Sequence, residues 1–208
     1  MGQSEYAKEI CKLIETVSNN SSNVLLFGER GTGKRLFAES VHLKNNENFQ
    51  DFFVINCRFY GSEFSNKLNE LKNNLLIQSD SCITVFFENI DKLNVELQQK
   101  LLIFLKEITD SKCNVRIISS TETFLEQMVQ NNLFNRDLYY FISSIILNFL
   151  PLRSRKEDIC EIANFYKKHF ETKSGIVFED FSEDVLCAMK NYFWSGNIDE
   201  LINSIQRA

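Results

Sequence analysis

Proline is nearly absent from this chain of 208 residues, whose one copy is Pro151. Long apolar runs are missing as well. No stretch approaches the roughly 20 residues that a membrane-spanning helix needs, which excludes that class of membrane protein. Histidine occurs twice, at His42 and His169, with no ligand-like spacing, so no histidine metal site is expected. The six cysteines are Cys11, Cys57, Cys82, Cys113, Cys160 and Cys187, and no two lie close enough for a metal knuckle. Several fall in apolar, strand-like runs and read as reduced core residues of a cytoplasmic protein. An excess of basic charge is also lacking. Lys and Arg number 23 against 28 Asp and Glu, a net charge of −5, which argues against a dedicated nucleic-acid surface. No secretory signal precedes the first helical stretch, and Tyr6 occupies the place where a myristoylation signal wants Ser or Thr. No internal repeat or low-complexity tract is visible. The expectation is a cytoplasmic protein making no membrane contact, and no nucleic-acid contact through this segment.

What is present is ordinary globular material, 44% hydrophobic and 25% charged, long enough for one domain or a domain with a small appendage. Continuous apolar runs at Val24–Phe27, Phe52–Asn56, Ile83–Glu88, Val115–Ser119 and Ser144–Phe149 predict strands. Runs without alternation suit a parallel sheet buried on both faces. Helical patterns lie between them. In Asn94–Ile108, Leu97, Leu101, Leu105 and Ile108 form one stripe, and Ser65–Ile77 turns Leu68, Leu71, Leu75 and Leu76 inward. After Pro151 come three helical segments, near 155–171, 180–192 and 197–207, with no strand among them. The reading is an α/β core over residues 1–150 and a small all-helical subdomain over 151–208. The Asn pairs at 19–20, 45–46, 73–74 and 131–132 read as helix ends and turns, and Leu138, Tyr139 and Tyr140 as core. Trp194 is expected to fix the last helices against each other. Lys167, Lys168, Arg153 and Arg155 read as solvated or structural charges, the two arginines with some scope for a nucleotide role at the hinge.

The most informative segment follows the first strand. Gly28-Glu29-Arg30-Gly31-Thr32-Gly33-Lys34 has the spacing of a phosphate-binding loop, and a helical pattern runs on from Lys34 to Leu43. Glycines allow a tight turn with several N–H groups converging, the helix start adds its dipole, and Lys34 supplies a charge for the outer phosphates. Arg35 stands where the usual Ser or Thr would hold Mg²⁺. The candidate nucleotide-binding residues are therefore Gly28, Glu29, Arg30, Gly31, Thr32, Gly33, Lys34 and Arg35, for ATP or ADP.

Four further segments carry a family resemblance. Phe53-Val54-Ile55-Asn56-Cys57 resembles "FVxVNC", and Leu133-Phe134-Asn135-Arg136-Asp137-Leu138-Tyr139-Tyr140 resembles "xFRxDLYYRL". Pro151-Leu152-Arg153-Ser154-Arg155-Lys156-Glu157-Asp158-Ile159 resembles "PLRERxEDI", and Trp194-Ser195-Gly196-Asn197-Ile198-Asp199-Glu200-Leu201 resembles "WPGNVREL". In this order and spacing they are similar to the AAA+ (sigma-54 interaction) domain of bacterial enhancer-binding transcription activators, over roughly residues 10–208. The resemblance implies a P-loop AAA+ core with a five-stranded parallel sheet, a helical lid, ring assembly, and ATP hydrolysis used to remodel sigma-54 RNA polymerase.

Several positions depart from the family. Its Walker A loop reads "GESGTGKE", so Arg35 puts a cation where members carry an acid. Its Walker B strand ends "LFLDEI"; here Glu88 remains as the candidate Mg²⁺ ligand, while Asn89 replaces the base. A missing base typically costs about 10²–10⁴ in rate. The two finger arginines are replaced by Asn135 and Phe141. Arg136 is one residue away, but one step on a helix turns a side chain by about 100°, and missing fingers cost roughly 10³–10⁵. Glu122 replaces an Asn near the γ-phosphate, and Asp199 the arginine of "GNVREL". The sigma-54-contacting "GAFTGA" loop has no counterpart between Arg58 and Ser81, where the chain is shorter. The reading is a degenerate module that binds nucleotide, hydrolyses it poorly or not at all, and acts by self-association or by assembly with a related AAA+ protein, without the sigma-54 contact. Two alternatives stay open: a working ATPase activator using Glu88 and Arg136, and a nucleotide-free scaffold with Arg35 and Glu122 paired.

Overall fold

The computed structural model describes residues 4–20, 22–45, 52–58, 63–77, 83–110 and 115–207. In chain order they form α1 (Glu5–Ser18), β1 (Val24–Phe27), α2 (Lys34–Asn45), β2 (Phe52–Asn56), α3 (Phe64–Ile77), β3 (Ile83–Glu88), α4 (Val95–Asp110), β4 (Val115–Thr121), α5 (Leu125–Gln130), α6 (Arg136–Ile142), β5 (Ile145–Asn148), α7 (Lys156–Ser174), α8 (Glu183–Asn191) and α9 (Asn197–Arg207). Single 3₁₀ turns lie at Ile90–Lys92 and Leu152–Ser154.

By its internal packing the chain divides into two units. A sheet unit holds residues 14–28 and 34–148, and a helical unit holds 1–13, 29–33 and 149–208. In the sheet unit the strands lie in the order β2-β3-β4-β1-β5, all parallel. The pleat sends alternate side chains to opposite faces. Leu25, Ile55, Val85, Phe87 and Ile117 join one cluster with Phe64, Leu68, Leu71 and Leu75 of α3, Leu101, Leu105 and Ile108 of α4, and Leu138 and Ile142 of α6. On the other face, His42 of α2 meets Thr84 through Nδ1 at 3.0 Å and stacks near Phe52. Arg116 is buried and donates through Nη2 to the carbonyls of Ser18 and Asn20, tying the end of α1 to β4.

In the helical unit, Leu152, Ile159, Trp194 and Leu201 form the core that α7, α8 and α9 share. Trp194 is buried, and its indole N–H donates to the Met189 carbonyl at 2.6 Å, which fixes the turn between α8 and α9 as the sequence suggested. Lys167 is buried and paired with Asp180 and Glu171, a structural charge.

Strands at Val24–Phe27, Phe52–Asn56 and Ile83–Glu88 coincide with the sequence expectation, and β4 runs on to Thr121. Three readings need correction. Of the described cysteines only Cys57 is a core residue; Cys11 and Cys160 are half-buried, and Cys187 is exposed because α8 buries none of its residues. Asn73 and Asn74 sit inside α3, where Leu71 and Leu75 anchor the face between them and override a weak local preference. Tyr140 is exposed, because it falls on the outer face of α6 while Leu138 and Tyr139 turn inward. The side chain of Leu76, the residues Asn46, Cys82 and Cys113, and residues 59–62 and 78–81 between Arg58 and Cys82, lie outside the described residues.

Candidate nucleotide-phosphate site

The phosphate loop begins where β1 ends. Gly31 and Gly33 adopt left-handed backbone, with φ of 74° and 98°, which glycine tolerates without the Cβ penalty. Within the helical unit, segment 29–33 is bound from several sides. Thr32 Oγ1 donates to the Glu29 carbonyl at 2.8 Å, and the Ile198 N–H donates to the Gly31 carbonyl at 2.9 Å. Asn197 Nδ2 donates to the Arg30 carbonyl at 2.8 Å and to Glu29 Oε2 at 3.2 Å. Arg153 forms a two-pronged pair with the Glu29 carboxylate, at 2.7 and 2.5 Å, and lies over the Phe193 ring. That pairing raises the Arg153 guanidinium above its ordinary value. Arg155 Nη2 donates to the Thr32 carbonyl at 2.7 Å while its guanidinium stacks over Tyr6; burial lowers its pKa. Arg153 and Arg155 thus hold loop and turn in place, a structural role. Arg30 is exposed.

The turn that meets Gly31 is itself strained. Trp194 and Asn197 both have positive φ, 50° and 55°, and between them Gly196 presents its carbonyl to Gly31 so closely that a methyl group there would collide. The Asp199 carboxylate also stands beside Gly31. Asp199 therefore brings a negative charge to the loop where the resemblance would place an arginine.

In the sheet unit, Lys34 opens α2 and its Nζ donates to the Gly28 carbonyl at 2.6 Å, buried against the strand end. Arg35 bonds Glu39 one turn along the helix at 2.9 Å, which raises its pKa, and the nearby Glu88 carboxylate adds to the effect. Glu122 pairs instead with Arg58, Nη2 to Oε2 at 3.1 Å. The Arg35–Glu122 pair of the scaffold alternative is therefore not formed: an i,i+4 partner is the shorter reach for Arg35.

The ends of β2, β3 and β4 form a connected polar row. Asn56 Nδ2 donates to Glu88 Oε2 at 3.1 Å, and Asn89 Nδ2 donates to Asn56 Oδ1 at 3.1 Å. The Asn89 N–H donates to Ser120 Oγ at 3.2 Å. Asn89 has left-handed backbone (φ 56°, ψ 48°), a conformation that Asn accepts more readily than Glu. Asp91 is buried; its Oδ1 accepts from the Glu122 N–H and its Oδ2 pairs with Lys92. Among the described residues no three His, Cys, Asp or Glu side chains are grouped to hold a metal ion, so a Mg²⁺ shell would rest on Glu88 with the phosphates themselves.

At the finger positions, Asn135 caps α6. Its Oδ1 accepts from the Leu138 N–H at 2.9 Å, its own N–H donates to Gln98 Oε1, and its Nδ2 donates to Gln99 Oε1. Phe141 packs against the sheet core, and Arg136 is exposed with its guanidinium over Tyr140. A cleft of about 750 Å³ opens beside this helix, lined by Val95, Glu126, Asn135, Arg136, Tyr139 and Tyr140. Burial, then the hydrogen bond to Glu126, pushes the Tyr139 phenol up to about 12.

The sigma-54 interaction domain model matches residues 1–152, and the AAA+ ATPase lid model matches residues 153–208. This chain belongs to the sigma-54 interaction family of AAA+ domains. It is similar to a signal-transduction and transcriptional-control protein of Clostridium beijerinckii, 31% identical over 99% of this chain and 36% of that protein. It is also similar to the Nif-specific regulatory protein of Klebsiella pneumoniae, 29% identical over 100% of this chain and 43% of the relative. The chain thus spans less than half the length of these curated relatives. Among solved structures, NtrX from Brucella abortus in complex with ATP superposes with a TM-score of 0.82 at 23% identity, over 100% of this chain and 51% of that one. Its complex with ADP gives 0.85 at 23% identity, over 99% and 50%. These likenesses establish an AAA+ core and lid of the kind found in transcription regulators. No helix among the described residues is long and apolar enough to cross a membrane.

Sequence reasoning missed Arg58 and the Arg153–Glu29 clamp. Both join residues far apart in the chain, and only the Glu29 within the loop carried a local signal.

Proposed function

We propose that this domain binds ATP or ADP on the 28–35 loop, turns ATP over slowly or not at all, and serves as a regulatory assembly module in transcription control. The observation that carries this is the contrast between the loop and the hydrolytic positions. The loop keeps its two left-handed glycines and its buried lysine, which suit phosphate. The hydrolytic positions hold neutral groups occupied elsewhere: Asn89 is bonded to Asn56, and Asn135 caps a helix. An amide cannot take a proton from an attacking water, and a capped Asn supplies no charge to a developing γ-phosphate. Arg136 is exposed and lies over Tyr140. Mg²⁺ would be shared between Glu88 and the phosphates, supplying charge neutralisation. The "GAFTGA" sequence is absent, so the sigma-54 contact of the family is not part of this reading, and the partner is a second copy or a related AAA+ protein. Calorimetric titration with ATP and Mg²⁺, followed by phosphate release in the same sample, tests it. Binding without release is expected; rapid release would restore the ATPase reading, and no binding at millimolar ATP would leave a scaffold.

A further inference from the structure

Asn197, the first residue of α9, is completely buried and holds left-handed backbone, with φ of 55°. The two ends of its side-chain amide face different parts of the helical unit. Oδ1 accepts from the N–H of Leu152, a core residue, at 2.7 Å. Nδ2 donates to the Arg30 carbonyl at 2.8 Å and to Glu29 Oε2 at 3.2 Å, both in the phosphate loop. The next two loop carbonyls are also taken up, Gly31 by the Ile198 N–H and Thr32 by Arg155 Nη2. In a trans peptide the carbonyl of one residue and the N–H of the next point in opposite directions. No cis bond occurs among the described residues. Holding the carbonyls of Arg30, Gly31 and Thr32 therefore turns the N–H groups of Gly31, Thr32 and Gly33 away from their partners on α9 and at Arg155. Successive N–H groups freed in this way, with left-handed glycines among them, suit a bound anion.

Building on the nucleotide-binding reading, we infer that Asn197 is a positioning residue for the nucleotide phosphates, acting through the Arg30 carbonyl to aim the N–H groups of the loop. An amide is the group that fits this place. An acid of the same shape would still accept from Leu152, but would set a carboxylate against the Arg30 carbonyl and the Glu29 carboxylate. Phosphate affinity is thus set in part from the buried interior of the helical unit. By linkage, a bound phosphate steadies the start of α9 in return.

The test is calorimetric titration of the whole chain with ADP and Mg²⁺, comparing wild type, Asn197→Asp and Asn197→Gly at about pH 8 and about pH 5.5. Urea unfolding at each pH confirms that every titrated sample is folded. Asn197→Asp loses two donated bonds and gains a repulsion, and is expected to weaken ADP about tenfold at the higher pH. Burial and the Glu29 carboxylate favour the protonated acid, whose O–H donates again. The deficit relative to wild type should therefore shrink severalfold at the lower pH. Asn197→Gly suits the left-handed backbone but carries no amide, and should weaken ADP alike at both pH values. Wild-type affinity in folded Asn197→Gly, or an Asn197→Asp deficit that is the same at both pH values, would overturn the positioning role while leaving nucleotide binding intact. Should Asn197→Asp not fold at the higher pH, Asn197→Gly decides alone. Failure of the wild type to bind ADP would remove the underlying reading, and the positioning role with it.

Discussion

Segment 29–33 and the ends of β2, β3 and β4 are both polar, but they are held in different ways. The loop segment is gripped through its backbone: Gly31, Arg30 and Thr32 each offer a carbonyl to Ile198, Asn197 or Arg155. Its shape depends on few side chains of its own, chiefly Glu29 and the absence of one at Gly31. The strand ends are joined side chain to side chain, through Asn56, Glu88, Asn89, Arg58 and Glu122. A backbone-held loop tolerates change around it and keeps a phosphate-shaped turn. A side-chain network changes character with each substitution; in this row Asn89 is bonded to Asn56 and Glu122 to Arg58. Under the proposed function, binding and hydrolysis part company along this line.

The sharpest way to break this contrast is at Gly31. In Gly31→Ala the new methyl meets the Gly196 carbonyl in a backbone that already disfavours it, and we expect a loss of about 2–4 kcal/mol in urea unfolding. Gly175→Ala has similar φ but nothing within 4 Å, and should cost only about 1–2 kcal/mol. Equal losses at the two sites would mean that the close approach at Gly31 has no energetic weight.

Next in size is Asn135→Ala, which removes the α6 cap and should cost about 1 kcal/mol in the same assay without changing nucleotide affinity. A loss of affinity would return position 135 to the binding site. Asn89→Glu restores a carboxylate but forces it into left-handed backbone and cuts the bond to Asn56. It should lower stability by roughly 1 kcal/mol and give no rise in phosphate release, since Asn135 and Phe141 still stand at the finger positions. The smallest effect concerns pH. The Tyr139 phenol is raised in the folded state, so its neutral form is the one folding favours. Its contribution is complete below the usual tyrosine value near 10 and is lost as pH rises through about 12. Tyr139→Phe should flatten the alkaline end of the stability curve, which is read by denaturation between pH 9 and 12.

Most of the sheet was legible because a parallel strand buried on both faces is written as a continuous apolar run. Val24–Phe27 and Ile83–Glu88 need no partner to be recognised. The loop was legible for a related reason, since its glycines and lysine act within seven residues of one another. Asn73 and Asn74 misled because a local turn preference says nothing of the leucines that bury the same helix. Arg58 and Glu122 stand 64 residues apart, and neither carries a local mark of the other. Arg35, which the scaffold alternative paired with Glu122, instead bonds Glu39 one turn along its own helix, a local partner that the i,i+4 spacing offers.

The most direct test of the central claim is a single-turnover experiment. Trace ATP labelled on its γ-phosphate is incubated at length with excess protein and Mg²⁺, and the bound nucleotide is then extracted and separated. Binding without hydrolysis predicts that the label is recovered as ATP, and that Lys34→Ala retains none. Recovery of the label as free phosphate, at a rate set by the protein and abolished in Lys34→Ala, would contradict it.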